Sequence, residues 1–239
     1  MQFIKSASLV SIVVLAAAAV ACSSGGGTTP TTDAGPTDAK ADKVTPPPTD
    51  GSTAKCEPQS ASGFSPSATT PAATAAGACT AKDVDDFFTF CIDPGDTTKC
   101  TALQKDTTKA NCLKCLITPQ SAAKWGALIQ DDNNLIFNNI AGCLSVKGDT
   151  ACADASSQSS ACSRFVCPDT VCPVPSGDKT ALNALNTCLS NASKSACKTY
   201  ADKANACLGA DTGSVAACTG ADFKGTYTAV ATVICVNGK

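Results

Sequence analysis

Two groups of cysteines have the spacing of reactive or metal-binding sites. Cys112 and Cys115 form a C-x-x-C motif, and on a helix this spacing puts both sulfurs on one face, where they could act as a redox pair. Cys162, Cys167 and Cys172 are evenly spaced, and sets of cysteine thiolates bind tetrahedral zinc. Both chemistries need reduced thiols, whereas an oxidising compartment turns the same residues into structural disulfides.

The total number of cysteines favours the disulfide interpretation. The chain has 17 cysteines in 239 residues, far more than a cytosolic protein usually carries. No strand-to-helix pattern of a thioredoxin-type site surrounds Cys112. Pro168, Pro173 and Pro175, which are interleaved with the evenly spaced trio, suit a rigid loop held by bridges. We therefore predict no catalytic residue, no metal site and no cofactor, with a redox protein and a metal-binding protein as the alternatives. The disulfide candidates are Cys56, Cys79, Cys91, Cys100, Cys112, Cys115, Cys143, Cys152, Cys162, Cys167, Cys172, Cys188, Cys197, Cys207, Cys218 and Cys235.

Other chemistry is poorly represented. The chain has no histidine, the side chain that serves most often as general base or zinc ligand. Its net charge is −2 and it has no cluster of Lys and Arg, so we expect no nucleic-acid partner. The run from Asp131 to Asn134 offers oxygen ligands, but Leu135 breaks the calcium-loop pattern and no glycine makes the sharp turn. That run therefore predicts a turn. The sequence as a whole predicts a non-enzymatic protein.

The amino terminus has the pattern of an export signal. Lys5 supplies a positive charge, and Leu9 to Val20 form an apolar run of twelve residues, which is the length of a signal-peptide core. A membrane-spanning helix needs about 20 apolar residues. The run ends in Ala19-Val20-Ala21, and Cys22 and Ser23 follow directly.

This junction resembles the lipobox of bacterial lipoproteins, over Met1 to Ser23 only. In that family diacylglycerol alkylates the cysteine, the peptide is cut before it, and its new amine is acylated. The resemblance implies a signal peptide of residues 1–21, lipidation of Cys22, a membrane partner through that anchor and, because Ser23 follows, the outer membrane. Ala19 stands where the family usually has Leu, and Ala19-Val20-Ala21 also fits ordinary secretory cleavage, which would give a soluble secreted protein. Lipidation of Cys22 would leave sixteen cysteines, an even number that can pair completely.

Composition then divides the exported part into three regions. Residues 22–55 are Gly, Thr, Pro, Asp, Ala and Lys with little apolar surface, so we expect a disordered tether. Residues 56–78 are a low-complexity loop, wrapped loosely on the domain with Cys56 and Phe64 as docking points. The cysteine-rich domain occupies 79–239, and we expect ordered structure to begin near Cys79.

Apolar spacing in that domain predicts a mainly α fold. Thr80 and Asp83 form a capping box before a helix that ends at Pro94-Gly95, and a second helical stretch covers 98–117 with a break near Thr107-Thr108. Two short strands near 125–140 could flank the Asp131 turn, with an interrupted helix as the alternative. Further helices are predicted over 182–189, over 197–208 with Gly209 as the cap, and over 223–234, where a terminal strand remains an alternative.

Cysteine spacing suggests that helical hairpins are joined by disulfides. Eleven residues lie between Cys79 and Cys91 and eleven between Cys100 and Cys112, so antiparallel helices would place Cys91 beside Cys100 and Cys79 beside Cys112 or Cys115. The gap of eight residues between Cys91 and Cys100 recurs twice, and a slightly longer gap occurs once. This weak repeat predicts a series of such hairpins. Its later members are Cys143 with Cys152, Cys188 with Cys197 and Cys207 with Cys218.

These patterns lead to one expectation about function. We expect a non-enzymatic lipoprotein of the cell envelope, with a structural or binding role at the membrane surface. An envelope protein or a polysaccharide is the expected class of partner, and the sequence does not identify it.

Overall fold

A computed structural model describes most of the chain after the expected tether. The described residues are 13–14, 55–92, 96–175, 178–210 and 213–238. The proposed lipid-bearing Cys22, most of the signal peptide and tether, and the Pro94-Gly95 helix end lie outside them.

The fold is mainly helical, as the sequence predicts. The α-helices in the described ranges are Ala81–Phe87 (α1), Thr97–Lys105 (α2), Ala110–Leu116 (α3), Ile140–Val146 (α4), Thr150–Val166 (α5), Lys179–Lys194 (α6), Lys198–Leu208 (α7), Gly213–Cys218 (α8) and Phe223–Ala231 (α9). Wider π-helical segments, Phe88–Ile92 and Thr232–Asn237, continue α1 and α9. A single 3-10 turn, Thr107–Lys109, lies between α2 and α3.

Helix α1 begins at the predicted capping box. The Thr80 hydroxyl accepts the Asp83 N–H, and the Asp83 carboxylate accepts the Thr80 N–H at 2.8 Å. Asp83 also pairs with Lys109 Nζ at 2.7 Å. Burial alone would raise the pKa of Asp83, but the hydrogen bonds from Lys109 and Thr80 lower it below the ordinary value. One carboxylate therefore caps α1 and links it to the turn before α3.

The second helical stretch breaks where the sequence predicts. Asp106 accepts hydrogen bonds from both the backbone N–H and the hydroxyl of Thr108. A side chain that accepts a hydrogen bond from the backbone N–H two residues further along the chain competes with helix formation. Beyond the break, Cys112, Cys115 and Leu116 are all buried, which confirms the predicted apolar face of α3.

The strands form the predicted hairpin with additional strands on either side. Leu128–Gln130 (β3) and Leu135–Asn138 (β4) are antiparallel and are joined by the turn at Asp131. Ile117–Pro119 (β2) pairs with β3 in parallel, which the sequence does not predict. Val13–Val14 (β1) pairs antiparallel with β4, so the order in the sheet is β1-β4-β3-β2.

The carboxy-terminal half confirms the predicted helices. Helices α6 and α7 cover the expected segments, and Gly209 is the C-cap residue of α7. The last segment is α9 followed by a π-helical segment, so the alternative of a terminal strand is wrong. Its threonines and valines are tolerated because Tyr227, Val230 and Ile234 recur at helical spacing and are all buried.

Residues 55–78 are held along their length rather than loosely wrapped. The Phe64 ring centroid lies 5.5 Å from that of Phe165 and 5.2 Å from that of Tyr200. Further along, the N–H groups of Ala75 and Gly77 donate to carbonyls of the final π-helical segment at 3.0 and 2.8 Å. Described structure therefore begins well before Cys79, the residue at which the sequence predicts that order begins.

Two apolar cores fill the domain. The first contains Phe87, Leu116, Leu144 and Tyr227 and lies among α1, α3, α4 and α9. Burial raises the pKa of Tyr227 far above its ordinary value, and its hydroxyl donates to the carbonyl of Val84 at 3.1 Å. The second core lies between β4 and the helices α5 and α6. Its largest members are Leu135, Phe137, Val166 and Leu185.

We predict that loop length determines how much each disulfide contributes to stability. The bridge Cys115–Cys235 spans 120 residues and Cys91–Cys100 spans 9, and all four sulfurs are buried. The chain-entropy relation assigns about 5 kcal/mol to the first and about 3 kcal/mol to the second. The double variant Cys115→Ala/Cys235→Ala should therefore unfold at a lower guanidinium concentration than Cys91→Ala/Cys100→Ala. Equal midpoints, or the reverse order, would contradict the account.

Candidate functional site

The cysteines form a complete set of bridges in the described part of the chain. All sixteen disulfide candidates are paired, each with one other cysteine of the same chain. The eight pairs are Cys56–Cys172, Cys79–Cys112, Cys91–Cys100, Cys115–Cys235, Cys143–Cys218, Cys152–Cys207, Cys162–Cys197 and Cys167–Cys188.

The first helical hairpin has the bridges that its spacing predicts. Cys91 is bonded to Cys100 and Cys79 to Cys112. Twelve residues of regular α-helix would turn the two cysteines about 120° out of phase. The π-helical segment Phe88–Ile92 contains Cys91 and changes the phase of the first arm, and the break between α2 and α3 changes that of the second. Irregular backbone in both arms therefore allows two bridges to form.

The predicted series of hairpins is wrong beyond that first one. Cys143, Cys188 and Cys207 each bond a cysteine other than the next one predicted, which lies nine to eleven positions further along the chain. The physical reason is the long helix α5, which the sequence analysis does not identify because most of its residues are Ala and Ser. Helix α5 bonds through Cys152 to Cys207 and through Cys162 to Cys197, so Cys152 does not return to Cys143 and Cys197 does not return to Cys188.

Helices α5 and α7 form a second pair joined by two disulfides, which the repeat does not predict. Cys152 and Cys162 on α5 bond Cys207 and Cys197 at opposite ends of α7, so the helices run antiparallel. Nine residues lie between the two cysteines on each side, and about 15 Å of helix lies between the two bridges. Equal spacing of this kind identified the first hairpin and is the sequence signal for this second pair.

The C-x-x-C motif is divided between two bridges. Cys112 is bonded to Cys79, Cys115 is bonded to Cys235, and all four residues are buried. The two motif sulfurs therefore do not form a disulfide with each other, which the redox alternative requires of its oxidised state.

The evenly spaced trio is divided in the same way. Cys162, Cys167 and Cys172 belong to three different disulfides. Cys162 lies inside α5, so the proline-rich loop begins only after Cys167. A disulfide sulfur is not a thiolate and does not bind zinc as one. The trio supplies three bridges rather than one metal site.

The Asp131 turn holds the β-hairpin against α5. One Asp131 oxygen accepts the N–H groups of Asn133 and Leu135, each at 2.9 Å, and the other accepts a hydrogen from Arg164 Nη2 at 2.7 Å. Burial raises the pKa of Asp131 above its ordinary value, although the hydrogen bond from Leu135 and the charge of Arg164 oppose that rise. Asn134 completes the turn in the left-handed region, at φ 63°.

Arg164 connects this turn to a small cleft. Its guanidinium carbon lies 3.7 Å from the centroid of the Phe137 ring, a stacking that adds to the ion pair with Asp131. Beside it is a cleft of about 230 Å³ between β4, α5 and α6, lined by Gln120, Asp132, Phe137, Pro168, Asp169 and Leu185 among others. The Asn133 amide donates to Asp169 across the rim. Asp131 and Arg164 therefore hold the β-hairpin against α5, beside a small cleft of mixed polarity. We call this ion pair the clasp.

Comparison of the chain with protein-family models, with curated proteins and with solved structures found no match. Among the described helices, none combines the length and the apolar character needed to cross a bilayer.

We predict that the clasp stabilises the domain through Asp131. The substitution Asp131→Ala removes the acceptor of two backbone N–H groups and the partner of Arg164, which should cost about 3 kcal/mol. Asp132→Ala is the matched control, because the Asp132 side chain is exposed, and it should change stability by less than about 0.5 kcal/mol. Guanidinium unfolding followed by circular dichroism measures both. Equal midpoints for the two variants would mean that the clasp does not stabilise the fold.

Proposed function

We propose that the protein is an exported lipoprotein, anchored in the outer membrane through Cys22, whose disulfide-stapled domain has a non-enzymatic structural or binding role. The single observation that carries the proposal is the pairing of the cysteines. Sixteen of the seventeen pair within the chain, and Cys22 is the one that remains.

Complete pairing supports export. Disulfides form and persist in oxidising compartments and are rare in the cytosol. A domain with eight of them needs such a compartment to mature. The signal-peptide pattern before Cys22 supplies a route, so the amino terminus and the domain favour the same location.

The pairing of the other sixteen cysteines with one another supports lipidation of Cys22. A free thiol in an oxidising compartment would form mixed disulfides or dimers, and acylation of Cys22 avoids both. Cleavage before Cys22 would remove β1, whereas β2, β3 and β4 lie within residues 117–138 and would remain. The mature protein would keep its bridges and its hairpin.

The tether supports display away from the membrane. The first covalent tie between the amino-terminal region and the rest of the domain is Cys56–Cys172. A flexible coil over 22–55 would have a typical reach of about 30 Å. We therefore expect the domain to meet an envelope protein or a polysaccharide near the membrane surface rather than a substrate in the bilayer.

The substitution Cys22→Ser should release the protein from the membrane. The parent should fractionate with the outer membrane and carry the added mass of diacylglycerol and an acyl chain on Cys22. The variant should lack that mass and become soluble, because two or more acyl chains are what stable anchoring requires. Ser23→Ala is the matched control and should remain lipidated. An unmodified Cys22 in the parent, or a Cys22→Ser variant that remains membrane-bound, would overturn the proposal.

A further inference from the structure

Three sulfur atoms from two different disulfides lie close together near the start of the described domain. The Sγ atoms of Cys56, Cys172 and Cys188 are all within 4.8 Å of one another. Cys56 is bonded to Cys172, whereas Cys188 is bonded to Cys167. In the part of the chain that the structure describes, no other three cysteine or carboxylate ligand atoms are grouped so closely.

One of these three residues, Cys56, is less buried than most other cysteines that the structure describes. Of the sixteen paired cysteines, fourteen are buried, and only Cys56 and Cys207 are half-buried. A thiolate attacks a disulfide sulfur directly, so access to that sulfur limits the rate. Dissolved thiols should therefore attack at Cys56 or Cys207 before any other position.

We propose that Cys56–Cys172 is a thiol-exchange site, and that opening it transfers the exchange to Cys188. An incoming thiolate, from a small thiol or a dithiol protein of the envelope, bonds to Cys56 Sγ, and Cys172 leaves as a thiolate. Cys172 then attacks Cys188 Sγ, forms a Cys172–Cys188 bridge and displaces the Cys167 thiolate. Two disulfides and one thiolate are present before and after, so the steps balance without any oxidant.

The exchange would change how residues 55–78 are attached. They contain no cysteine other than Cys56, so loss of Cys56–Cys172 leaves them held only by noncovalent contacts until Cys79. Near Cys56 these are the hydrogen bond from the Gln59 N–H to the Val166 carbonyl at 2.7 Å and the contacts of the Phe64 ring. Cys56 itself would become covalently joined to the attacking thiol. The site can therefore link this domain to a thiol-bearing partner.

The bridge Cys152–Cys207 is an internal control. It also has one half-buried cysteine, Cys207. Neither of its cysteines belongs to a described group of three neighbouring ligand atoms. Attack there should give a mixed disulfide with Cys152 as the free thiol and no new protein bridge.

The test uses the purified full-length chain, unreduced, with reduced glutathione as the probe at neutral pH. Samples are alkylated with iodoacetamide over time and mapped as non-reduced peptides. We expect glutathione on Cys56, a new Cys172–Cys188 bridge and alkylated Cys167. The alkylated fraction of Cys167 should exceed that of Cys172 at least tenfold.

A double variant isolates the second step. In Cys167→Ala/Cys188→Ala the neighbouring sulfur is absent, so glutathione should still bond Cys56 while Cys172 becomes the alkylated residue. Should this variant fail to fold, the ratio of Cys167 to Cys172 alkylation in the parent decides the matter. Alkylated Cys172 with an intact Cys167–Cys188 bridge in the parent would overturn the transfer. No reaction at Cys56, or reaction at one of the buried cysteines before Cys56, would overturn the exchange site.

Discussion

Covalent cross-linking is the constraint on which the rest of this fold depends. The longest described helices have 17 and 16 residues, and only 5% of the chain is aromatic. Apolar packing therefore has limited surface with which to hold separate helices together. Each disulfide brings two backbone positions within 4.8 to 6.1 Å of each other. Bridges tie α1 to α3, α3 to the carboxy-terminal segment, α4 to α8, and α5 to both α6 and α7. Each tie also keeps an apolar face in contact with its neighbour.

Noncovalent contacts hold the parts of the fold that the disulfides do not fix. Tyr227 fills the first core and bonds the Val84 carbonyl, which fixes the carboxy-terminal helix against α1. In the second core, where the β-hairpin meets α5, Asp131 and Arg164 hold the two elements together with a partly buried ion pair. The hairpin contains no cysteine, so this clasp and the packing of Phe137 replace a bridge there.

How much of the fold the sequence predicts depends on how local the deciding interaction is. The Thr80 capping box, the break at Thr107-Thr108 and the Asp131 turn each involve residues within four positions of one another, and all three were predicted. The pairing of Cys115 with Cys235 spans 120 residues and had no local signal. The predicted series of hairpins is wrong for the same reason. A recurring gap of eight residues identifies cysteines that are close along the chain, not cysteines that are close in space. The cleft beside Arg164 was missed because its walls come from β4, α5 and α6.

Sixteen cysteines pair within one chain to form the scaffold of this domain, and the proposal of export depends on that pairing. The most direct test of the pairing is the count of free thiols in the purified, unreduced protein, denatured in guanidinium and alkylated before mass spectrometry. The account predicts a monomer with no alkylated cysteine and a mass sixteen hydrogens below that of the reduced chain, which corresponds to eight intramolecular bridges. Two or more alkylated cysteines, or a disulfide-linked dimer, would contradict it.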